Sequence, residues 1–176
     1  MQLQRGNLYL VGLPGAGKST LGRMLARRLG LVFVDADTEL EAQLGVTIPT
    51  IFEIEGEAAF RDREEATLAA LVERTGIVLA TGGGVVIRAR NRARLKENGT
   101  VLYLHADPLT LRERTRRSRH RPLLIAADPL ARLAELYAQR DPLYREVAHR
   151  VIDSDRERVI RFAQELDAQR GIKRST

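Results

Sequence analysis

The sequence predicts an α/β domain in which a five-stranded parallel sheet is covered by helices on both faces. Short apolar runs alternate with longer amphipathic stretches along the whole chain, the rhythm of a doubly wound fold. The apolar runs are near-continuous, as strands read when both of their faces are buried. At 176 residues, with 44% hydrophobic and 30% charged side chains, the chain can build one core and has little left for a second. Residues 1–176 are therefore expected to form a single domain, with no linker, repeat or low-complexity tract.

Taken in order, the strand candidates are 7–12, 31–35, 77–81, 100–105 and 150–152, each rich in Val, Leu or Ile. The helix candidate 18–29 places Leu21, Met24, Leu25 and Leu29 on one face, and Gly30 stops it. A second, 60–73, repeats apolar positions at Ala66, Leu68, Ala69, Leu71 and Val72. Asp107-Pro108 reads as an N-cap with proline at the first helical position, opening a helix to about residue 117. Asp128-Pro129 repeats the device and opens 130–139, and a last helix, 156–170, carries Val159, Ile160, Phe162, Ala163 and Leu166. Two segments break the rhythm. Residues 37–61 are of mixed character and 112–125 are densely basic; insertions of this kind are where α/β proteins keep substrate contacts and lids.

Composition removes several classes of function. Without cysteine there is neither a disulfide framework nor a thiolate metal site. The net charge of +6 comes almost wholly from arginine, since Lys18, Lys96 and Lys173 are the only lysines. Aromatic residues are 5% of the chain and none interleave with the basic cluster, so nucleic-acid binding is not expected. No signal stretch or membrane-length apolar run is present, and the expected location is the cytoplasm, with no membrane partner.

Gly12-Leu13-Pro14-Gly15-Ala16-Gly17-Lys18-Ser19-Thr20 satisfies G-x-x-x-x-G-K-[ST] between an apolar strand and an amphipathic helix. Such a P-loop turns tightly on its glycines so that backbone N–H groups converge on phosphate, with the positive helix end behind them. Lys18 can bridge the β- and γ-phosphates of ATP, and Ser19 can ligate Mg²⁺. The fold class is thereby narrowed to a three-layer P-loop NTPase domain. Asp35 and Asp37 follow the second strand; two apart on an extended segment, both would face the mouth of the sheet, one toward the metal's water shell and one to accept a proton. Helix capping is the plainer reading of the pair. Gly82-Gly83-Gly84 follows the third strand and would let a ligand approach the main chain, while Thr81 stands where many P-loop proteins carry a metal-associated acid.

Arginine binds carboxylate or phosphate through its planar fork, but composition reads Arg61 and Arg140 as solvated surface residues. Six arginines (112, 114, 116, 117, 119, 121) and His120 crowd 112–121, where like charges one turn apart repel. A lid that orders around the negative charge of ATP explains that density; a solvated charge run is the alternative. His105, His120 and His149 lack metal-ligand spacing and are expected to be structural or exposed.

Gly12–Thr20, Asp35-Ala36-Asp37, Ile51-Phe52, Gly56-Glu57, Phe60-Arg61, Gly82-Gly83-Gly84, Arg121-Pro122-Leu123-Leu124, and Arg140 before Pro142-Leu143-Tyr144 come in this order. Together they resemble the shikimate kinase family through nearly the whole chain. The resemblance implies a kinase that phosphorylates the 3-hydroxyl of shikimate with MgATP, on the route to the aromatic amino acids; separately, the chain is expected to be a monomer. It implies ATP contacts at Gly15, Ala16, Gly17, Lys18, Ser19, Thr20, Arg114 and Arg121, and magnesium at Ser19 and, through water, at Asp35. Shikimate falls to Asp37, Arg61, Gly83, Gly84 and Arg140, with Lys18, Asp37 and Arg121 as the catalytic set. Thr50 and His149, where the family often has acids, depart from the pattern. The alternatives are another small-metabolite P-loop kinase, such as a gluconate or nucleoside monophosphate kinase, and a nucleotide-gated switch or nucleic-acid-binding P-loop protein.

Overall fold

The computed structural model describes residues 6–116 and 128–174. The elements run β1 (Leu8–Val11), α1 (Lys18–Leu29), β2 (Val32–Asp35), α2 (Ala36–Leu44), α3 (Ile48–Val72), β3 (Ile77–Ala80), a 3₁₀ turn (Val85–Ile87), α4 (Ala89–Asn98), β4 (Thr100–His105), α5 (Pro108–Thr115), α6 (Pro129–Val147), β5 (Arg150–Asp153) and α7 (Arg156–Arg174). The five strands form one sheet in the order β2-β3-β1-β4-β5, and every pairing is parallel.

Burial follows position in that order. All four residues of β1 and of β3 are buried, as is β4 up to Leu104, because these strands are central. The edge strands β2 and β5 each leave a valine exposed, Val32 and Val151. α1 and α7 touch each other, and α4 touches both α3 and α6, so two helical layers enclose the sheet. The main core joins Leu8, Leu10, Leu79 and Leu102 to Leu21 and Leu25 of α1 and to Leu133 and Leu136 of α6. From β1 the chain winds to one side of the sheet for β2 and β3, then crosses to the other for β4 and β5. The carboxyl end of β1 is thus the switch point at which an open α/β sheet offers its crevice.

The predicted strands and α1 stand where the pattern put them. α2 was not among the helix candidates and answers instead to the capping alternative for the aspartate pair, whereas α4 was not predicted. α4 reads ARNRARLKEN and buries only Asn91 and Leu95, so no apolar stripe announces it. α3 begins at Ile48, well ahead of residue 60, and Gly56 breaks it with φ 80 and ψ 176, a conformation that favours glycine. The turns before that break pack with α2 on a small second core of Leu40, Ile51 and Phe60. α6 passes residue 139 and runs through Pro142 to Val147, held by the buried Arg140, Tyr144 and Val147 on its inner face. Among the described residues no helix is long and apolar enough to cross a membrane.

Candidate active site

The cleft at the switch point has a volume of about 650 Å³, with the P-loop, Asp35, Asp37, Arg61, the Gly82–84 run, Arg114 and Arg140 among its lining. Gly12 is obligatory by geometry: its φ is 145, and a Cβ there would lie 2.6 Å from the Leu104 carbonyl oxygen of β4. Gly17 caps α1 in the left-handed region, at φ 94. Lys18 curls back over the loop, its Nζ donating to the carbonyls of Gly12 (2.7 Å) and Leu13 (3.1 Å). Gly15, Ser19 and Thr20 also line the cleft. Ala16 does not: its side chain is buried and its N–H donates to Leu13 within the loop, so it shapes the turn.

Asp35 and Asp37 are not two residues of one extended segment, as the spacing suggests. Asp35 ends β2 and caps α2, its Oδ1 accepting from the N–H groups of Asp37 (3.2 Å) and Thr38 (3.4 Å). Its other oxygen accepts from the Ser19 hydroxyl at 2.7 Å. The same carboxylate therefore caps α2 and holds the P-loop serine. Asp37 stands in the first turn of α2, open to the cleft yet with protein on most sides. Loss of bulk water, with the charges of Asp35 and Glu64, pushes its carboxyl up to about 6.

Arg61 and Arg140 are 6% and 3% exposed, which corrects the surface reading drawn from composition. Arg61 reaches Glu64 through Nη1 (2.7 Å) and the half-exposed Glu57 through Nη2 (2.9 Å). Arg140 keeps Nε and Nη1 buried without a hydrogen-bond partner. Burial pulls its guanidinium below the ordinary value, and the Arg61 charge adds to that. Burial likewise pushes Glu64 up, against the attraction of Arg61. Glu64 is a cleft residue that the sequence reading missed; its i,i+3 spacing from Arg61 was the available signal.

The glycine run makes room for these side chains as well as for a ligand. A Cβ on Gly82 would lie 2.7 Å from Glu64 Oε1 and 2.9 Å from Asp37 Oδ1, and one on Gly83 2.8 Å from Pro14 Cδ. On Gly84 it would overlap the Arg61 guanidinium. Thr81 is engaged inside the sheet, its Oγ1 donating to the Leu10 carbonyl at 2.9 Å. Ile48, Pro49, Phe52 and Phe60 form an apolar wall. At the far end Arg114 donates to the Ser154 hydroxyl (2.7 Å) and carbonyl (3.0 Å) in the β5–α7 connection. His105 joins Asp153 and Tyr137, and His149 accepts from the Val101 N–H, the structural roles expected of them. Arg121, His120 and the rest of 117–125 lie outside the described residues.

The donor set suits a small hard cation. A hydroxyl and a carboxylate beside a phosphate cradle leave most positions to water and phosphate oxygens, the habit of Mg²⁺. Among the described residues no group of three or more acids or histidines could hold an ion unaided.

A model of the shikimate kinase family matches residues 14–169. The shikimate kinase of Thiobacillus denitrificans is 58% identical over 156 residues, 89% of this chain and 85% of that protein. That of Dechloromonas aromatica is 60% identical over 149 residues, 85% of this chain and 81% of its own. Among solved structures, shikimate kinase from Acinetobacter baumannii in complex with shikimate aligns with a TM-score of 0.87 at 48% identity, covering 91% of this chain and 89% of that one.

Proposed function

The chain belongs to the shikimate kinase family, and from that premise we propose how its cleft transfers the γ-phosphate of ATP to the 3-hydroxyl of shikimate, a step toward the aromatic amino acids. The observation that carries the assignment is the pair of buried guanidiniums in the cleft that holds the P-loop. Shikimate is a compact carboxylate with ring hydroxyls. Arg140, with Nε and Nη1 unpartnered, and Arg61 beside it grip the carboxylate through charge-assisted hydrogen bonds. The wall of Phe52 and Phe60 receives the ring, and Asp37 with the Gly83 and Gly84 backbone receives its hydroxyls.

Asp37 takes the proton of the attacking hydroxyl. A carboxyl that titrates at about 6 is ionised near neutrality and is a stronger base than an ordinary aspartate. The P-loop backbone and Lys18 hold the phosphates, and Arg114 borders the place of the base. Ser19 and, through water, Asp35 would hold Mg²⁺, which when bound neutralises charge on the phosphate oxygens. Arg121, beyond the described residues, is assigned to the γ-phosphoryl oxygens by the family pattern alone. Since phosphoryl transfer needs positioning and charge stabilisation more than covalent help, this set is sufficient, and one chain supplies all of it. A monomer can therefore carry the reaction, and its demand for ATP fits the cytoplasm.

The test is ADP production with MgATP and shikimate, quinate, gluconate, AMP, CMP or no acceptor. Turnover confined to shikimate is expected. Turnover with gluconate or a nucleotide in its place would overturn the assignments of Asp37, Arg61 and Arg140.

A further inference from the structure

Tyr144 lies one helical turn beyond Arg140, on the same inner face of α6, and is fully buried. Its hydroxyl donates to the Gly83 carbonyl, and the Arg140 charge lies near enough to act on the phenol. The direction of that bond is forced: a carbonyl has only lone pairs, and the phenol has one proton to give. The ring that carries this hydroxyl is itself clamped. It stacks on Tyr103 with centroids 4.9 Å apart and planes 29° from parallel, and the Tyr103 hydroxyl donates to Asp141 Oδ1 at 2.9 Å. Burial also pushes the Tyr144 phenol up from its ordinary value, so it keeps its proton. On its other side Gly83 packs against Pro14 of the P-loop, which leaves its peptide little freedom to turn.

We infer that Tyr144 is a positioning residue for the acceptor site: its hydroxyl fastens the Gly83 peptide to α6 one turn from Arg140, so that the Gly83 backbone and the Arg140 guanidinium meet the acceptor in one relative orientation. This rests on the assignment of Arg140 and Gly83 to shikimate. Without the hydroxyl, the Gly83 carbonyl faces an apolar ring edge and its peptide is no longer tied to the helix that carries Arg140. The loss falls on acceptor binding, because neither group touches the phosphates.

Three variants test it: Tyr144→Phe, which keeps the stacked ring, Tyr103→Phe, which deletes a neighbouring phenol oxygen remote from the acceptor, and Arg140→Met. Tyr144→Phe is expected to raise the shikimate KM about tenfold, equivalent to about 1.4 kcal/mol. Its kcat and ATP KM stay within about twofold of wild type, the split between binding and turnover expected of lost ground-state binding. Tyr103→Phe lowers the melting temperature and leaves the shikimate KM in place, and Arg140→Met raises that KM at least as far as Tyr144→Phe does. An unchanged shikimate KM in Tyr144→Phe beside a raised one in Arg140→Met overturns the inference and leaves the arginine assignment standing. No change in either removes the assignment and the inference with it. Equal rises in the two tyrosine variants assign the effect to packing and also overturn the inference.

Discussion

The protein packed around the cleft, with the negative charge of Asp35 and Glu64, pushes the Asp37 carboxyl up to about 6, although its side chain stays open to cleft water. Its folded value lies above the ordinary 3.8, so between those values the folded chain binds the extra proton. Stability therefore falls as pH rises through that window, and the cost is complete above it. Asp37→Asn removes the cost together with the carboxylate proposed as base. Cleft water screens the charge, so the gain in melting temperature near neutrality should be small, about 1–3 °C, and should vanish below the ordinary aspartate range. The kcat of the same variant should fall by about 10²–10⁴-fold, and wild-type kcat/KM should decline as pH drops below about 6. Thermal melts and pH-rate profiles check both, and a wild-type kcat in the asparagine variant would remove Asp37 from the chemistry. That Asp37 lines the cleft was legible from its place after β2. Its altered acidity was not, because Glu64 reaches it only through space.

At the scale of the element, the glycines after β3 and inside α1 answer to their neighbours. Gly84 has φ −94 and ψ −2, which any residue adopts; what excludes a side chain there is the Arg61 guanidinium. Gly84→Ala should displace Arg61 and raise the shikimate KM by a charged hydrogen-bond pair, about 1.5–3 kcal/mol, with the ATP KM unchanged. An unaltered shikimate KM would show that Arg61 does not grip the acceptor. Gly22 packs α1 on β2, and a Cβ there would come 2.5 Å from the Phe33 ring. Alanine gains about 1 kcal/mol of helix propensity, but overpacking costs about 1–3 kcal/mol. Gly22→Ala should therefore lower stability by up to about 2 kcal/mol, or several degrees, with kinetics intact; a higher melting temperature would mean that Phe33 yields freely. Helices with an apolar stripe or a cap and proline, such as α1 and α5, were readable beforehand. α4 was not, because it buries only two residues, nor was the continuation of α6 through Pro142, which buried contacts on its inner face sustain.

Over the whole molecule, the cleft separates two cores of unequal size. The sheet and its helices share the large one, whereas α2 and the first turns of α3 rest on Leu40, Ile51 and Phe60. With so little burial, those turns should open more readily than β1, β3 and β4. Backbone amides of α2 and of residues 48–55 should exchange faster than those of the central strands. Since Glu41, Ile48 and Phe52 line the cleft, shikimate at about 100 times its Kd should slow them by up to about 100-fold. Hydrogen exchange followed by mass spectrometry checks this, and equal rates in both regions would mean that the second core is no weaker than the first.

By itself the sequence determined the strands, the P-loop and the caps at Asp107 and Asp128, because periodicity, tight turns and capping depend on neighbours along the chain. The order of its motifs also identified the family. Only the tertiary structure decided that Arg61 and Arg140 are buried, that Glu64 pairs with Arg61 and Tyr144 with the Gly83 carbonyl, and that Gly82–84 clears space for the side chains around it. Those groups are brought together by the sheet order from residues 61, 64, 83, 84, 140 and 144. Burial and acidity depend on which groups lie near in space, and no local pattern encodes a distance across the cleft.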